Sequence, residues 1–179
     1  MAEAFSNKLV RAAGSVQTST GCTIGITTTN ILGVTTAGLS VGDLVDNQNF
    51  IAGTKIATIG VGSIFANRDS TNTGSSSGNS VKFLGVTTAY SSASSVKSII
   101  IGGTFANNTN NQVSLSVVVE DNSTGTDVAL ASKIPVPAGS SFVISDTGKT
   151  LLEGDDKVKI YADANNAIDV SLSILTGVN

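Results

Sequence analysis

The second half of the chain, from about Val96 to Val178, consists of short runs in which apolar and polar residues alternate. The two-residue period is clear at 113–119, and it returns at 158–162 and at 168–174. Such a period places successive side chains on opposite faces of a β-strand. Because Gly, Asn, Asp and Pro residues separate the runs, the pattern predicts an antiparallel β-sandwich.

Eight strands are predicted in this half, which indicates two packed antiparallel sheets in a jelly-roll or Ig-like arrangement. We expect the segment 167–175 to lie in the middle of a sheet, because alternate apolar residues from Ile168 to Ile174 form one unbroken face. The two prolines of the chain, Pro135 and Pro137, favour an extended turn at a sheet edge. The predicted strands are 81–90, 96–101, 113–120, 127–134, 140–145, 150–152, 157–162 and 167–175.

The first half of the chain has weaker strand signals, at 22–28, 30–35, 43–46 and 54–64, and glycines mark the turns between them. We therefore predict a small β module over residues 15–66. Residues 67–80 are rich in Ser, Gly and Asn, which predicts a flexible loop or linker. The sandwich domain is then expected over residues 81–179.

Residues 1–14 are predicted to be an N-terminal arm or a short helix. Phe5, Leu9 and Ala12 have helical spacing, and Gly14 would end the helix. A helix of this length is marginal alone, so we expect the segment to dock on a neighbouring surface. On this interpretation, removal of residues 1–13 leaves the sandwich folded.

Composition narrows the classes of partner. Charged residues make up 13% of the chain and the net charge is −3, so no basic stripe is present to bind nucleic acid. No run approaches the ~20 apolar residues of a membrane span, and the N-terminal region has no export signal. We therefore expect neither a nucleic-acid nor a membrane partner. A lightly charged surface rich in hydroxyls and amides is common in large assemblies.

Catalytic chemistry has little support in the sequence. The absence of histidine excludes a Ser-His-Asp triad, a Cys-His pair and a histidine-ligated zinc site. Paired carboxylates, as in glycosidases, remain, but each cluster lies in a turn or at a strand end. We therefore predict a protein that is not an enzyme, with no catalytic, cofactor-binding or metal-binding residue and no cofactor. The carboxylate clusters are Glu120/Asp121, Glu153/Asp155/Asp156 and Asp163/Asp169.

Three other groups of residues have both a chemical and a structural interpretation. Asp155, Asp156 and Asp163 could bind Ca²⁺ if the fold joined them, although solvated turns are the preferred interpretation. Cys22, the single cysteine, is interpreted as a small buried hydrophobe. The glycosylation patterns that begin at Asn107 and Asn122 are interpreted as ordinary loop residues.

Several runs of the chain resemble structural proteins of tailed bacteriophages, especially those of marine cyanobacteria. The runs VPAGSSF at 136–142 and DTGKTLLEGD at 146–155, followed by 162–175, resemble the C-terminal β domain of these virion proteins. The segment 33–62, with LSVGDLV at 39–45 and IAGTKI at 51–56, is similar to small β modules of phage fibre and appendage proteins.

This resemblance implies a non-enzymatic virion protein, made in the host cytoplasm and placed as a capsid decoration, neck or tail component. Its implied partners are further copies of itself and other virion proteins. The alternative is a fibre-tip or adhesin-like module that binds host-surface glycan, which needs an exposed aromatic or amide-lined groove. A cytosolic β-barrel enzyme is the third and least favoured hypothesis.

Overall fold

A computed structural model describes residues 3–144 and 149–178 of the chain. Residues 1–2, 145–148 and 179 lie outside the described residues, and with them the end of the predicted strand 140–145 and the start of the run 146–155. Within the described residues the protein is all-β, and no helix there could cross a membrane. The strands are β1 (Ala4–Ala13), β2 (Ser15–Ile24), β3 (Asn30–Leu32), β4 (Leu44–Asp46), β5 (Ile56–Gly60), β6 (Ser63–Ala66), β7 (Ser76–Gly85), β8 (Thr87–Ser91), β9 (Lys97–Asn107), β10 (Val113–Asp121), β11 (Thr126–Val136), β12 (Ser141–Ile144), β13 (Thr150–Leu152), β14 (Lys157–Ala162) and β15 (Ile168–Val178).

The strands belong to two compact units. The first, which we call the sandwich, is built from the described residues up to Gly14 and from Thr87 onward. The second, which we call the inserted unit, is Ser15–Val86. In chain order the inserted unit therefore separates the first strand of the sandwich from its second.

The sandwich has the strand order of a jelly roll. Its antiparallel pairs are nested like a long hairpin: β1 with β15, β8 with β14, β9 with both β12 and β13, and β10 with β11. The folded hairpin then rolls up, which adds the contacts β9–β15 and β10–β14. The resulting sheets are β1-β15-β9-β12, with β13 also on β9, and β11-β10-β14-β8. The predicted antiparallel sandwich is thus confirmed, in its jelly-roll form.

The core of the sandwich lies between these two sheets. Phe105 on β9, Leu115 on β10 and Ile160 on β14 are fully buried in one hydrophobic cluster with residues of β15. Few aromatic residues contribute, so Val, Ile and Leu fill the core, as expected for a pleated surface. The alternating pattern of the sequence therefore corresponds to an inner face of packed side chains and an outer face.

The position of β15 confirms the prediction for 167–175. The strand lies between β1 and β9, and its alternate residues from Ile168 to Ile174 are buried in the sandwich core. Ser171 on the opposite face is exposed. The edge position predicted for the prolines is confirmed, because β11, which contains Pro135, is an edge strand of its sheet. Pro135 itself lies in the strand rather than in a turn, and the turn follows at 137–140.

The inserted unit is a six-stranded antiparallel sheet in the order β4-β7-β2-β3-β6-β5. Backbone hydrogen bonds also join its two outer segments, from Val45 N–H to Thr54 O at 2.8 Å and from Ile56 N–H to Asp43 O at 2.9 Å. The sheet thereby closes on itself around its own core. That core contains Cys22, Ile24, Ile31, Val34, Val45, Phe50, Ile56, Ile64, Ala66, Val81 and Phe83.

The division into units differs from the predicted one, in which 15–66 is a module, 67–80 a linker and 81–179 the sandwich. Residues 67–80 lie inside the inserted unit, and β7 pairs with β2 there. Polar groups hold this run in place: the buried Ser70 hydroxyl accepts from Thr28 N–H at 3.1 Å and donates to Gly25 O at 2.9 Å. The polar composition of 67–80 predicted a linker, but it gives no sign of hydrogen bonds to residues that are distant in the sequence. The prediction therefore missed the bonds that hold this run in the inserted unit.

The described residues of the N-terminal segment 1–14 also differ from its prediction, since residues 3–14 form neither a helix nor a free arm. Residues 4–13 form β1, which pairs with β15, and Ala13 is buried in the sandwich core. The apolar residues at helical spacing lie instead along an extended strand. Because β1 completes a sheet, removal of residues 1–13 is now expected to destabilise the sandwich rather than leave it folded.

Candidate functional site

Most of the carboxylates considered for catalysis have structural partners. Glu120 on β10 lies 2.6 Å from Lys159 Nζ and 3.4 Å from Lys157 Nζ, both on the adjacent strand β14. The hydrogen bond from Lys159 is the main cause of the lowered pKa of Glu120, and the positive charges of both lysines add to it. Glu120 is therefore held ionised as part of a cross-strand ion cluster.

The turn carboxylates cap backbone groups. Asp121 accepts hydrogen bonds from Ser123 and Thr124, which lower its pKa. The buried Asp156 accepts from Asn122 N–H at 3.0 Å and from Glu153 N–H at 2.9 Å. The turn predicted at 153–156 is present, with Asp156 N–H donating to Glu153 O at 3.3 Å.

The three aspartates considered for Ca²⁺ are not brought together. Asp155 and Asp156 precede β14 and Asp163 follows it. At about 3.3 Å per residue the strand separates the two ends by roughly 20 Å. Asp163 instead accepts from Ser114 N–H at 2.7 Å. Among the described residues no group of three acidic or other ligating side chains is placed to hold a metal ion.

The Glu120 cluster makes a pH-dependent contribution to stability. Its lowered pKa means that the native state favours the ionised form, so the stabilisation is present above the unfolded value of 4.5 and is lost as pH falls through the native pKa. We expect Glu120→Gln to lower the free energy of unfolding at neutral pH by up to about 1 kcal/mol, a modest amount because the pair is partly solvated. Urea unfolding at several pH values would measure this difference, which should disappear in acid.

Glu153→Gln is the matched control, because Glu153 lies 3.5 Å from Lys97 with both side chains more than half exposed. An exposed pair of this kind contributes little. If Glu120→Gln and Glu153→Gln had the same pH profile, the Glu120 cluster would not be the acid-sensitive element.

Asn107 has a structural role that sequence reasoning missed. Its buried amide donates to Asn111 O at 2.7 Å, Val136 O at 2.9 Å and Pro137 O at 3.2 Å, and its carbonyl oxygen accepts from Thr109 N–H at 2.9 Å. This side chain thus fastens the loop after β9 to the end of β11. The interpretation of Asn107 as an ordinary loop residue is therefore wrong, because Asn107 is the buried last residue of β9. Its glycosylation pattern in the sequence gives no indication of these partners.

Cys22 agrees with its structural interpretation. The side chain is fully buried in the core of the inserted unit, and its thiol donates to Gly33 O at 3.6 Å. Burial raises the pKa of the thiol, which disfavours the reactive thiolate. The residue therefore acts as a small core side chain.

Several exposed apolar side chains lie on the outer face of the β1-β15-β9 sheet, and we call this surface the outer apolar face. Two rows of residues cross the strands there. The first row is Phe5, Leu175, Ile99 and Leu151, and the second is Leu9, Ser171, Thr104 and Val143. Phe5 and Leu9 are 76% and 74% exposed, and Val143 and Leu151 are 54% and 50% exposed. Asn7, Ser173 and Gly102 lie between the two rows, so the exposed apolar side chains form two groups on one face. Exposed apolar groups of this kind are candidates for an interaction site.

The edge of this face is β1. A depression of about 400 Å³ beside the strand is lined by Leu9, Arg11, Thr104, Asp169 and neighbouring residues. Asp169 is already engaged, because it accepts from Ala12 N–H at 2.7 Å. The depression is therefore a mainly apolar surface feature of the sheet, with one exposed cation at its rim.

A second concavity, of about 460 Å³, lies within the inserted unit and is lined by Gln17, Ser40, Asp43 and others. It is the amide- and hydroxyl-lined feature that a glycan-binding module would need. Its polar groups have internal partners, however: the Gln17 amide donates to Thr35 O, and Asp43 accepts from Ser40 N–H at 2.8 Å. These bonds shape the loop around the concavity and leave few groups available for a sugar.

Comparisons with known proteins found no match among family models, curated proteins or solved structures.

Proposed function

We propose that this protein is a non-enzymatic structural subunit of a tailed-phage virion that assembles through contacts between its β domains. Its neighbours in the particle are further copies of itself and other virion proteins. The observation that carries the proposal is the outer apolar face on a jelly-roll domain, where Phe5 and Leu9 are largely exposed. An isolated soluble domain gains nothing from such a face, whereas a subunit buries it on assembly.

Three further observations support the proposal. Jelly rolls are a recurring architecture of viral capsid domains, although the fold alone does not determine function. The runs at 136–142 and 33–62 resemble virion proteins and small modules of phage appendages. Low charge and a surface rich in Ser, Thr and Asn also suit close packing in a large assembly.

The described carboxylates fit this structural role. Glu120, Asp156 and Asp163 each satisfy lysines or backbone N–H groups, which rigidifies turns and strand ends. A rigid scaffold is what a particle subunit needs in order to present the same contact surface in every copy.

The proposal is tested on particles. An antibody raised against the purified chain should label intact tailed-phage particles from the host that carries this gene, viewed by immunogold electron microscopy. Mass spectrometry of purified particles should find the chain at many copies. If the chain remains in the soluble fraction and is absent from purified particles, the proposed function is wrong.

A further inference from the structure

The strand β1 is an unusually regular sheet edge. Seven successive residues, Ala4 to Val10, pair with β15 without a register shift, and among the described residues β1 has no strand on its other side. The edge strand β11 differs, because it contains Pro135 and two register shifts. Prolines and irregularities of this kind prevent an edge from accepting another strand, whereas a long regular edge is a template for one.

We propose that β1 pairs antiparallel with β1 of a second copy of this chain, across a two-fold axis perpendicular to the sheet, with Asn7 opposite Asn7 of the second copy. The inference rests on the proposed function, because it names one of the contacts through which the subunits assemble. It joins two β1-β15-β9-β12 sheets into one continuous sheet.

The sequence of β1 selects this register. In the register centred on Asn7, Phe5 lies opposite Leu9 of the second copy, and Glu3 lies opposite its Arg11. By symmetry each pair occurs twice. Directly opposed apolar pairs and opposite charges both stabilise an antiparallel ladder. Lys8 faces Ser6 of the second copy, so no like charges oppose each other.

The neighbouring registers lack this complementarity. The two-fold axis keeps the outer faces of both copies on the same side of the sheet. Opposed residues must therefore belong to the same face, and this is possible only when the axis passes between two copies of the same residue. A register centred on Lys8 would oppose two lysines and place Phe5 against Arg11, while one centred on Ser6 would place Glu3 against Leu9. Like charges directly opposite each other are destabilising.

The side chains that the register pairs are available in the subunit. Phe5 and Leu9 are the two most exposed large hydrophobics of β1, and Glu3 and Arg11 are exposed as well. Arg11 follows Leu9 by two residues and lines the same depression, although the register with β15 shifts after Val10. Pairing brings Phe5 and Leu9 of the two copies into lateral contact, while Val143 and Leu151 stay on the outer face of the continuous sheet.

Charge reversal tests the proposed pairs. Sedimentation of the full chain should show a dimer, and Glu3→Arg or Arg11→Glu alone should raise the dissociation constant at least tenfold. An equimolar mixture of these two variants should recover dimers, because each variant then supplies the charge that the other needs. Lys82→Glu, at an exposed lysine of the inserted unit, is the control and should dimerise as the unmodified chain does.

A cross-link tests the register itself. Opposed residues in an antiparallel pair have Cα atoms about 4.5–5.5 Å apart, within disulfide range, so Asn7→Cys should form an intermolecular disulfide on mild oxidation. Phe5→Cys is the control, because the two copies of residue 5 would lie roughly 13 Å apart along the strands. The native Cys22 is buried and does not compete. Thermal melts would establish that each variant is folded.

The outcomes separate this inference from the proposed function. A chain that stays monomeric at concentrations on the order of 100 μM, or equal cross-linking of Asn7→Cys and Phe5→Cys, overturns the β1 pairing even if the chain is present in virions. A dimer with the predicted cross-link supports the pairing even if particles lack the chain, and only the virion assignment then fails.

Discussion

Replacing Leu172 with alanine is expected to lower the free energy of unfolding by about 2–5 kcal/mol. Leu172 is fully buried in the sandwich core, and it lies on the central strand β15 opposite Lys8 on one side and Gly103 on the other. The Leu172 side chain occupies the space over Gly103, where an added Cβ atom would lie 2.7 Å from Leu172 Cδ2, and glycine has no side chain that could move into the vacated volume. The cavity left by the substitution would therefore persist. Denaturant unfolding followed by circular dichroism measures the loss.

Ser171→Ala is the matched control, one residue away on the same strand but on the exposed outer face. Its expected effect is within about 0.5 kcal/mol. Equal losses for Leu172→Ala and Ser171→Ala would mean that the inner and outer faces of β15 are buried alike, which would contradict the arrangement described above.

Replacing Asn107 with aspartate is the second large effect, at about 3–5 kcal/mol at neutral pH. The substitution keeps the oxygen that accepts from Thr109 but replaces the donating amide with an ionised oxygen. That oxygen would face the carbonyl groups of Asn111, Val136 and Pro137 in a buried position. Thr109 would donate only to the other oxygen of the carboxylate, so no donor would face the oxygen that replaces the amide.

The sign of the pH dependence follows from the same geometry. Burial among carbonyl groups favours the protonated carboxyl, so the native pKa of the new aspartate lies above the unfolded value of about 3.9. The loss should therefore shrink as pH falls toward 4 and grow as pH rises. Asn108→Ala, at the exposed neighbouring residue, should change stability little at any pH. A pH-independent loss for Asn107→Asp would show that the carbonyl cluster does not set its cost.

The alternation of apolar and polar residues predicted most of the sandwich, because burial on one face of a strand imposes a period of two. The segments containing Leu115, Ile160 and Leu172 became strands near their predicted bounds. The same alternation did not identify β1 as a strand, because its large apolar residues Phe5 and Leu9 lie on the outer face. Its inner face contains the polar residues Ser6 and Lys8. An edge strand of this kind does not place apolar residues on its inner face and polar residues on its outer face, which is the pattern that predicts a half-buried strand.

The domain boundary was missed for a different reason. Residues that join the inserted unit to the sandwich are ordinary strand residues, and β7 and β8 are separated by Val86 alone. The predicted single strand over 81–90 is therefore two strands in two units. Pairing partners determine this division, and the partner of β8 is β14, far along the chain. The outer apolar face was missed for the same reason, because each of its two rows aligns residues from four strands that are distant in the sequence.

The nested pairing of the sandwich also determines when it can form. β1 precedes the other described strands along the chain, but its only partner among them is β15, with Ala4 opposite Thr176. Residues up to Thr176 must leave the ribosome before this pair closes, whereas every pair of the inserted unit lies within Ser15–Val86. Such high contact order slows folding to milliseconds or longer, because loop-closure entropy is lost before the distant contacts form. During that interval both edges of β1 are open. When many copies are synthesised on neighbouring ribosomes, β1 could therefore pair with a strand of another copy in place of β15. Slow translation would lengthen the time for which β1 is exposed.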